Sequence, residues 1–126
     1  MQIPIYLNTI KAGFPSPADD FAENHLDLND FLVPHPVSTF FVKVSGDSMI
    51  NAGIFEGNIL IVDRAALHHN NSIVIAIIDN EFTVKRFKVI NGESYLYPEN
   101  FKYKPIKLKE NDEIWGVVTS VINKLT

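Results

Sequence analysis

A chain of 126 residues with 46% hydrophobic content suits one compact domain with a real core and leaves no room for a second folded domain. The formal net charge of −4 supplies no basic footprint, so direct DNA binding is not expected. The absence of cysteine excludes disulfides, a cysteine nucleophile and thiolate metal sites, and with no signal-like N-terminus or membrane-spanning run it fits a cytoplasmic, non-membrane protein.

Residues 1–30 read as an N-terminal arm and residues 31–126 as a β domain. In the arm, Pro4, Gly13, Pro15 and Pro17 interrupt the apolar residues, and Asp19, Asp20 and Glu23 add charge. Pro15 and Pro17 favour an extended backbone at and after Gly13. Between Asp19 and Phe31 the apolar spacing is loose enough for either a short helical turn or an extended arm.

The β-branched and aromatic run from Thr39 to Val44 predicts a strand entering a core. Ser45-Gly46-Asp47-Ser48 follows as a tight turn. Asn51-Ala52-Gly53 and Glu56-Gly57-Asn58 are further turns, and Ile59 to Val62 is an apolar strand. Ser72 to Ile78 reads as a strand buried on both faces. After the Asp79-Asn80 turn, Glu81 to Ile90 alternates as a strand, with Thr83, Lys85 and Phe87 on one face and Phe82, Val84 and Arg86 on the other. Asn91-Gly92 is a two-residue hairpin signal leading into Ser94 to Tyr97. Lys104 to Lys109 alternates charge with Ile106 and Leu108, and Glu113 to Ile122 is a last strand. Many short strands between turns predict an all-β fold, mainly antiparallel, as a partly closed barrel with an extended N-terminal arm.

The chemistry centres on Ser48, delivered by a strand and a turn that can aim consecutive backbone amides at one point. Ser-Gly-Asp-Ser is equally ordinary turn chemistry. A serine hydroxyl needs a partner to take its proton. His25, His35, His68 and His69 all lie in stretches that read as loops, where nothing would hold an imidazole rigidly, and His68-His69 lacks further metal ligands. No metal or other cofactor is implied. Lys85 is the better candidate base. A free lysine is neutral in only about one molecule in two thousand at pH 7, but burial lowers its pKa, and Arg86 would add to this if close in space. The alternative is that Lys85 extends to solvent beside Arg86 and Lys88.

Ser45-Gly46-Asp47-Ser48-Met49, the block Gly53 to Asp63, and Glu81-Phe82-Thr83-Val84-Lys85-Arg86 together resemble the LexA-like family of self-cleaving Ser-Lys peptidases (peptidase S24), in its UmuD-like branch. The blocks stand in the family's order, and the similarity runs from about Gly13 to the final strand. The resemblance implies a LexA/signal-peptidase-like β fold, Ser48 as nucleophile, Lys85 as general base, and the backbone amides of Asp47, Ser48 and Met49 as holders of the oxyanion. It also implies that the Ala12-Gly13 bond is the scissile one. Signal peptidases also use serine and lysine but are membrane-anchored, unlike what this sequence predicts.

The resemblance further implies cleavage promoted by a recombinase filament on single-stranded DNA during the SOS DNA-damage response. The trimmed product would be a homodimeric accessory subunit serving the catalytic subunit of an error-prone translesion DNA polymerase. Residues before Gly13 are fewer than in the UmuD proteins and far too few for the DNA-binding helices of a LexA repressor, which argues against a repressor. Ala-Gly in place of the Cys-Gly of UmuD itself is shared with LexA repressors. Two other readings stand beside this one: a peptidase trimming other proteins in trans, and a catalytically idle LexA-like binding module acting only through polymerase or dimer contacts.

Overall fold

The β-branched runs of this chain form antiparallel ladders, and where their partners fall in sequence decides what the sheet can carry. The computed structural model describes residues 3–6, 9–14 and 22–126, which divide into two units, Met1–Pro34 and His35–Thr126.

In the first unit, β1 (Ile3–Tyr6) pairs antiparallel with β2 (Ala22–Leu26), with Ile3 opposite Leu26 and Pro4 opposite His25. In this two-stranded ladder each strand is an edge, where a proline lacking an N–H is tolerated. A short helix, α1 (Leu28–Leu32), follows; the Asp27 side chain caps it by accepting from the Asn29 amide at 2.9 Å. The segment that reads as either helical or extended thus contains one element of each kind. His25 lies in a strand rather than the expected loop, because pairing with β1 overrides its polar neighbours. Ala12 to Phe14 form a bend instead of the extended path expected at Gly13. Pro15, Pro17 and Asp19 to Phe21 lie outside the described residues.

The second unit holds β3 (Thr39–Lys43), β4 (Ile59–Asp63), β5 (Ile73–Ile78), β6 (Glu81–Ile90), β7 (Glu93–Tyr97), β8 (Ile106–Lys107) and β9 (Glu113–Ile122). They form one antiparallel sheet in the order β3-β4-β9-β5-β6-β7-β8. The all-β, antiparallel expectation holds, but the sheet has two free ends, β3 and β8, and does not close into a barrel. β8 offers only two ladder pairs, Tyr95 with Lys107 and Leu96 with Ile106.

Two hairpins fix the register of the middle strands. Asp79 and Asn80 between β5 and β6, and Asn91 and Gly92 between β6 and β7, all take positive φ. Paired left-handed residues of this kind match the right-handed twist of the flanking strands.

β9 lies between β4 and β5 and reaches both through irregular registers. Against β4 the ladder steps from Ile61–Ser120 to Val62–Val118, and against β5 from Ile75–Gly116 to Ala76–Ile114. The residues skipped, Thr119 and Trp115, mark bulges that bend the strand from one neighbour to the other. One apolar cluster gathers Val44, Met49, Ile54, Leu60, Val62 and Ile75; a second gathers Val74, Ala76, Phe87 and Leu96.

At Gly116 the backbone of β9 passes so close to β4 that a Cβ there would lie 2.6 Å from Val62 Cγ1 and 3.4 Å from the Asp63 carbonyl. Val62 is fully buried and has nowhere to retreat. Gly116→Ala is therefore expected to destabilise the fold by about 1–3 kcal/mol, the usual cost of overpacking a core. Denaturant unfolding of the two proteins measures it directly.

Candidate active site

Ser48 follows β3 by a turn that is tied down on several sides. Gly46 takes a φ of 89°, a conformation costly for residues with a Cβ, and its amide donates to Glu56 Oε1 at 3.2 Å. Asp47 turns its carboxylate to the Tyr103 hydroxyl and to Lys102 Nζ at 3.3 Å. The Tyr103 hydroxyl first, and Lys102 second, hold the Asp47 carboxyl below its usual pKa. Met49, 1% exposed, is driven into the first apolar cluster. Burying such a side chain is worth about 1.5–3 kcal/mol and anchors the backbone on which Ser48 sits.

Lys85 reaches Ser48 from the middle of β6. Its backbone is paired with Val74 of β5, and its side chain lies on the face that also buries Phe87, as the alternation requires. The residue is 8% exposed. Its ammonium donates to Ser48 Oγ at 3.0 Å, to Thr83 Oγ1 at 2.8 Å and to the Val84 carbonyl at 3.1 Å. Three donors meet three acceptors, all neutral, and no carboxylate pairs with Lys85 among the described residues. Burial without a counter-ion disfavours the charged form and pushes the Lys85 pKa below that of an ordinary lysine.

Once neutral, Lys85 has two N–H groups and a lone pair. Thr83 and Val84 can take the two hydrogens, which leaves the lone pair directed at Ser48. The arrangement can therefore draw a proton from the hydroxyl.

Arg86 does not share in this. Its guanidinium lies on the other face of β6, donating to Glu99 Oε1 at 2.6 Å and to the Asn71 carbonyl at 2.6 Å, so desolvation alone accounts for the shift at Lys85. Sequence reasoning also missed the segment beyond β7. The Glu99 amide donates to the Ser48 carbonyl at 2.8 Å, the Asn51 amide donates to the Glu99 carbonyl at 2.9 Å, and Asn100 Nδ2 donates to the Asp47 carbonyl at 2.8 Å. The only local signal was a proline followed by polar residues at Pro98-Glu99-Asn100, which reads as a turn.

Ser48 and Lys85 open onto a cleft of about 360 Å³ whose walls include Val42, Val44, Gly46, Phe82 and Tyr103. Among the described residues, the amides of Asp47, Ser48 and Met49 donate to no protein acceptor. Ala12 and Gly13 belong to the other unit of the chain.

Two histidines are better held than their sequence surroundings imply. His35 Nδ1 lies 3.2 Å from Asp63 Oδ2, while the Ser38 hydroxyl donates to Asp63 Oδ1 at 2.7 Å. The His68 ring meets Phe87 edge-on at 4.7 Å. In the first cluster both Ser38 and His35 bind the carboxylate, and the serine has no hydrogen bond to the imidazole, so the grouping lacks the nucleophile-to-base link of a triad. No grouping of three or more His, Cys, Asp or Glu among the described residues could hold a metal ion.

An antiparallel β scaffold that sets a serine hydroxyl against a buried lysine belongs with the serine peptidases. Residues 4–119 match the Peptidase S24-like family, and the chain belongs to that family. It is 44% identical to Protein MucA of Salmonella typhimurium over 120 residues, covering 93% of this chain and 82% of that protein. It is 44% identical to Protein ImpA of Shigella flexneri over 123 residues, covering 96% and 83% respectively. A LexA repressor of Clostridium perfringens is 39% identical over 121 residues, which cover 96% of this chain and 59% of the repressor. The resemblance to UmuD-like and LexA-like proteins is thereby shown.

The buried lysine has a cost that depends on pH. Its folded-state pKa is lowered, so the unfolded chain binds this proton more tightly than the folded one, and stability rises with pH between the lowered value and the ordinary lysine value. Lys85→Met is expected to melt at a higher temperature than wild type near neutral pH, with the gap narrowing toward about pH 10, where the unfolded lysine also loses its proton. Paired thermal melts across that range check it.

Proposed function

We propose that this chain is a self-cleaving serine peptidase that cuts its own Ala12-Gly13 bond with a Ser48-Lys85 dyad. The observation that carries the reading is the 3.0 Å approach of Lys85 Nζ to Ser48 Oγ, with the lysine buried among neutral acceptors. Membership of the Peptidase S24-like family supports it.

In this mechanism neutral Lys85 takes the Ser48 hydroxyl proton as Oγ attacks the Ala12 carbonyl carbon. The resulting oxyanion is held by backbone amides of Asp47, Ser48 and Met49. Lys85 returns the proton to the Gly13 nitrogen as the C–N bond breaks, leaving Ala12 esterified to Ser48. Lys85 then takes a proton from water, the hydroxide attacks the ester, and the proton returns to Ser48 Oγ as the Ala12 carboxylic acid leaves and ionises to solvent.

The reading extends to biology through the resemblance to UmuD-like proteins. Cleavage belongs to the SOS response to DNA damage and is promoted by a recombinase filament on single-stranded DNA. The filament acts by favouring a minor, productive state of the arm or of the neutral lysine. The trimmed homodimer then serves an error-prone translesion polymerase in the cytoplasm.

The intact mass of the purified chain at mildly alkaline pH tests the chemistry. Wild type is expected to lose Met1 to Ala12, and Ser48→Ala and Lys85→Ala to lose nothing. Loss from Ser48→Ala would remove the nucleophile assignment. No loss from wild type, even with a recombinase filament added, would leave the idle binding module as the better reading.

The cleavage rate is also expected to climb with pH and to level off below the ordinary lysine range, because the active form of Lys85 is the deprotonated one and its pKa is lowered. A flat profile from neutral to strongly alkaline pH would exclude Lys85 as the base.

A further inference from the structure

The carbonyls of the two peptide planes flanking Ser48 are each held by a hydrogen bond from the segment beyond β7, and the Asp47 carbonyl also accepts a longer bond from the Ile50 amide at 3.4 Å. Asn100 Nδ2 donates to the Asp47 carbonyl and the Glu99 amide donates to the Ser48 carbonyl, each at 2.8 Å. None of the peptide bonds among the described residues is cis. In a trans peptide plane the carbonyl of one residue points opposite to the N–H of the next. Fixing the Asp47 and Ser48 carbonyls therefore turns the Ser48 and Met49 amides the other way, and neither amide has a protein acceptor among the described residues.

From these two clamped planes we infer that Asn100 is a positioning residue for the oxyanion hole: it touches no reacting atom, but it aims the Ser48 amide. The inference deepens the self-cleavage reading and rests on it. Asn100 is itself held for this task. It is 9% exposed, its Oδ1 accepts from the Lys102 amide at 3.0 Å, and its carbonyl accepts from the Tyr103 amide at 3.1 Å. Its amide side chain is thereby oriented with nitrogen toward Asp47. The companion clamp is braced in turn, since Arg86 holds the Glu99 carboxylate at 2.6 Å. A preorganised amide costs no reorientation when charge develops, which is where most of the value of an oxyanion hole lies.

The test is the cleavage rate of the full chain, followed by intact mass from pH 7 to 11, for wild type, Asn100→Ala and Asn100→Asp, with thermal melts of each. Asn100→Asp keeps the size of the side chain and an acceptor for the Lys102 amide, but replaces the donor facing Asp47 with an acceptor. Both variants are expected to lower the plateau rate by roughly 10–100-fold, less than the about 10²–10³-fold cost of deleting an oxyanion donor outright. The pH midpoint of Asn100→Ala, set by Lys85, should stay where it is in wild type.

A plateau equal to wild type in Asn100→Asp would overturn the assignment while leaving self-cleavage intact. In the neutral variant Asn100→Ala, a midpoint displaced toward the ordinary lysine value would show general loosening of the site instead of lost aim, and would overturn it too. If both variants fail to fold, Asn100 is a determinant of folding and the assignment also falls. If wild type does not cleave, the self-cleavage reading fails first and takes the oxyanion hole with it.

Discussion

The site depends on a cation placed where a cation is poorly solvated. Lys85 is buried, and its three hydrogen bonds go to a serine hydroxyl, a threonine hydroxyl and a carbonyl, none of which carries a compensating charge. A carboxylate within reach would stabilise the fold and at the same time hold the proton on the lysine. The structure instead gives the ammonium dipoles only, which satisfy its donors without restoring its preference for charge. The surrounding architecture serves this compromise: β5 pairs with β6 along its length, two left-handed hairpin turns fix the register, and the strand delivers its lysine to Ser48.

Ser48 is held by the opposite means. Where Lys85 is poised by what it lacks, Ser48 is poised by what its neighbours have. Met49 is sunk in the core, Gly46 takes a left-handed turn, and the carbonyls of Asp47 and Ser48 are engaged from the segment beyond β7. Arg86 connects the two halves. It follows Lys85 directly on β6 but faces the other way, and through Glu99 it braces the turn that carries the serine. Adjacent residues on one strand thus reach Ser48 by two routes, one through its hydroxyl and the other through its carbonyl.

Much of this was legible in the sequence because it rests on local rules. The β-branched runs, the period-two alternation around Lys85, and the Asn91-Gly92 turn each have a short-range physical cause, and each took the expected form. The Ser48 and Lys85 pairing was legible as well, because the order of the blocks around them carried the resemblance. Contacts made across long separations were not. Asn100 meets Asp47 across 53 positions, and a buried asparagine in a turn looks like any other polar turn residue. His35 was read as a loosely held loop residue because Asp63, which fixes its ring, lies 28 positions away. Barrel closure failed for a related reason, since composition reveals strands but not the two-residue length of β8 or the position of β9.

That position of β9 has a consequence for how the protein is made. The serine sits on the β3-β4 side of the sheet and the lysine on the β5-β6 side, and β9, furthest along the chain, joins them. While a ribosome still holds residues 113–122 inside its exit tunnel, the emerged chain lacks the strand that pairs with both β4 and β5, and the serine turn meets the other half of the sheet through Glu99 and Asn100 without that backbone ladder. Ser48 and Lys85 would then be in the same nascent chain without the strand that joins their two halves of the sheet. A product of premature termination before residue 113 would carry both residues without the strand that unites their halves of the sheet.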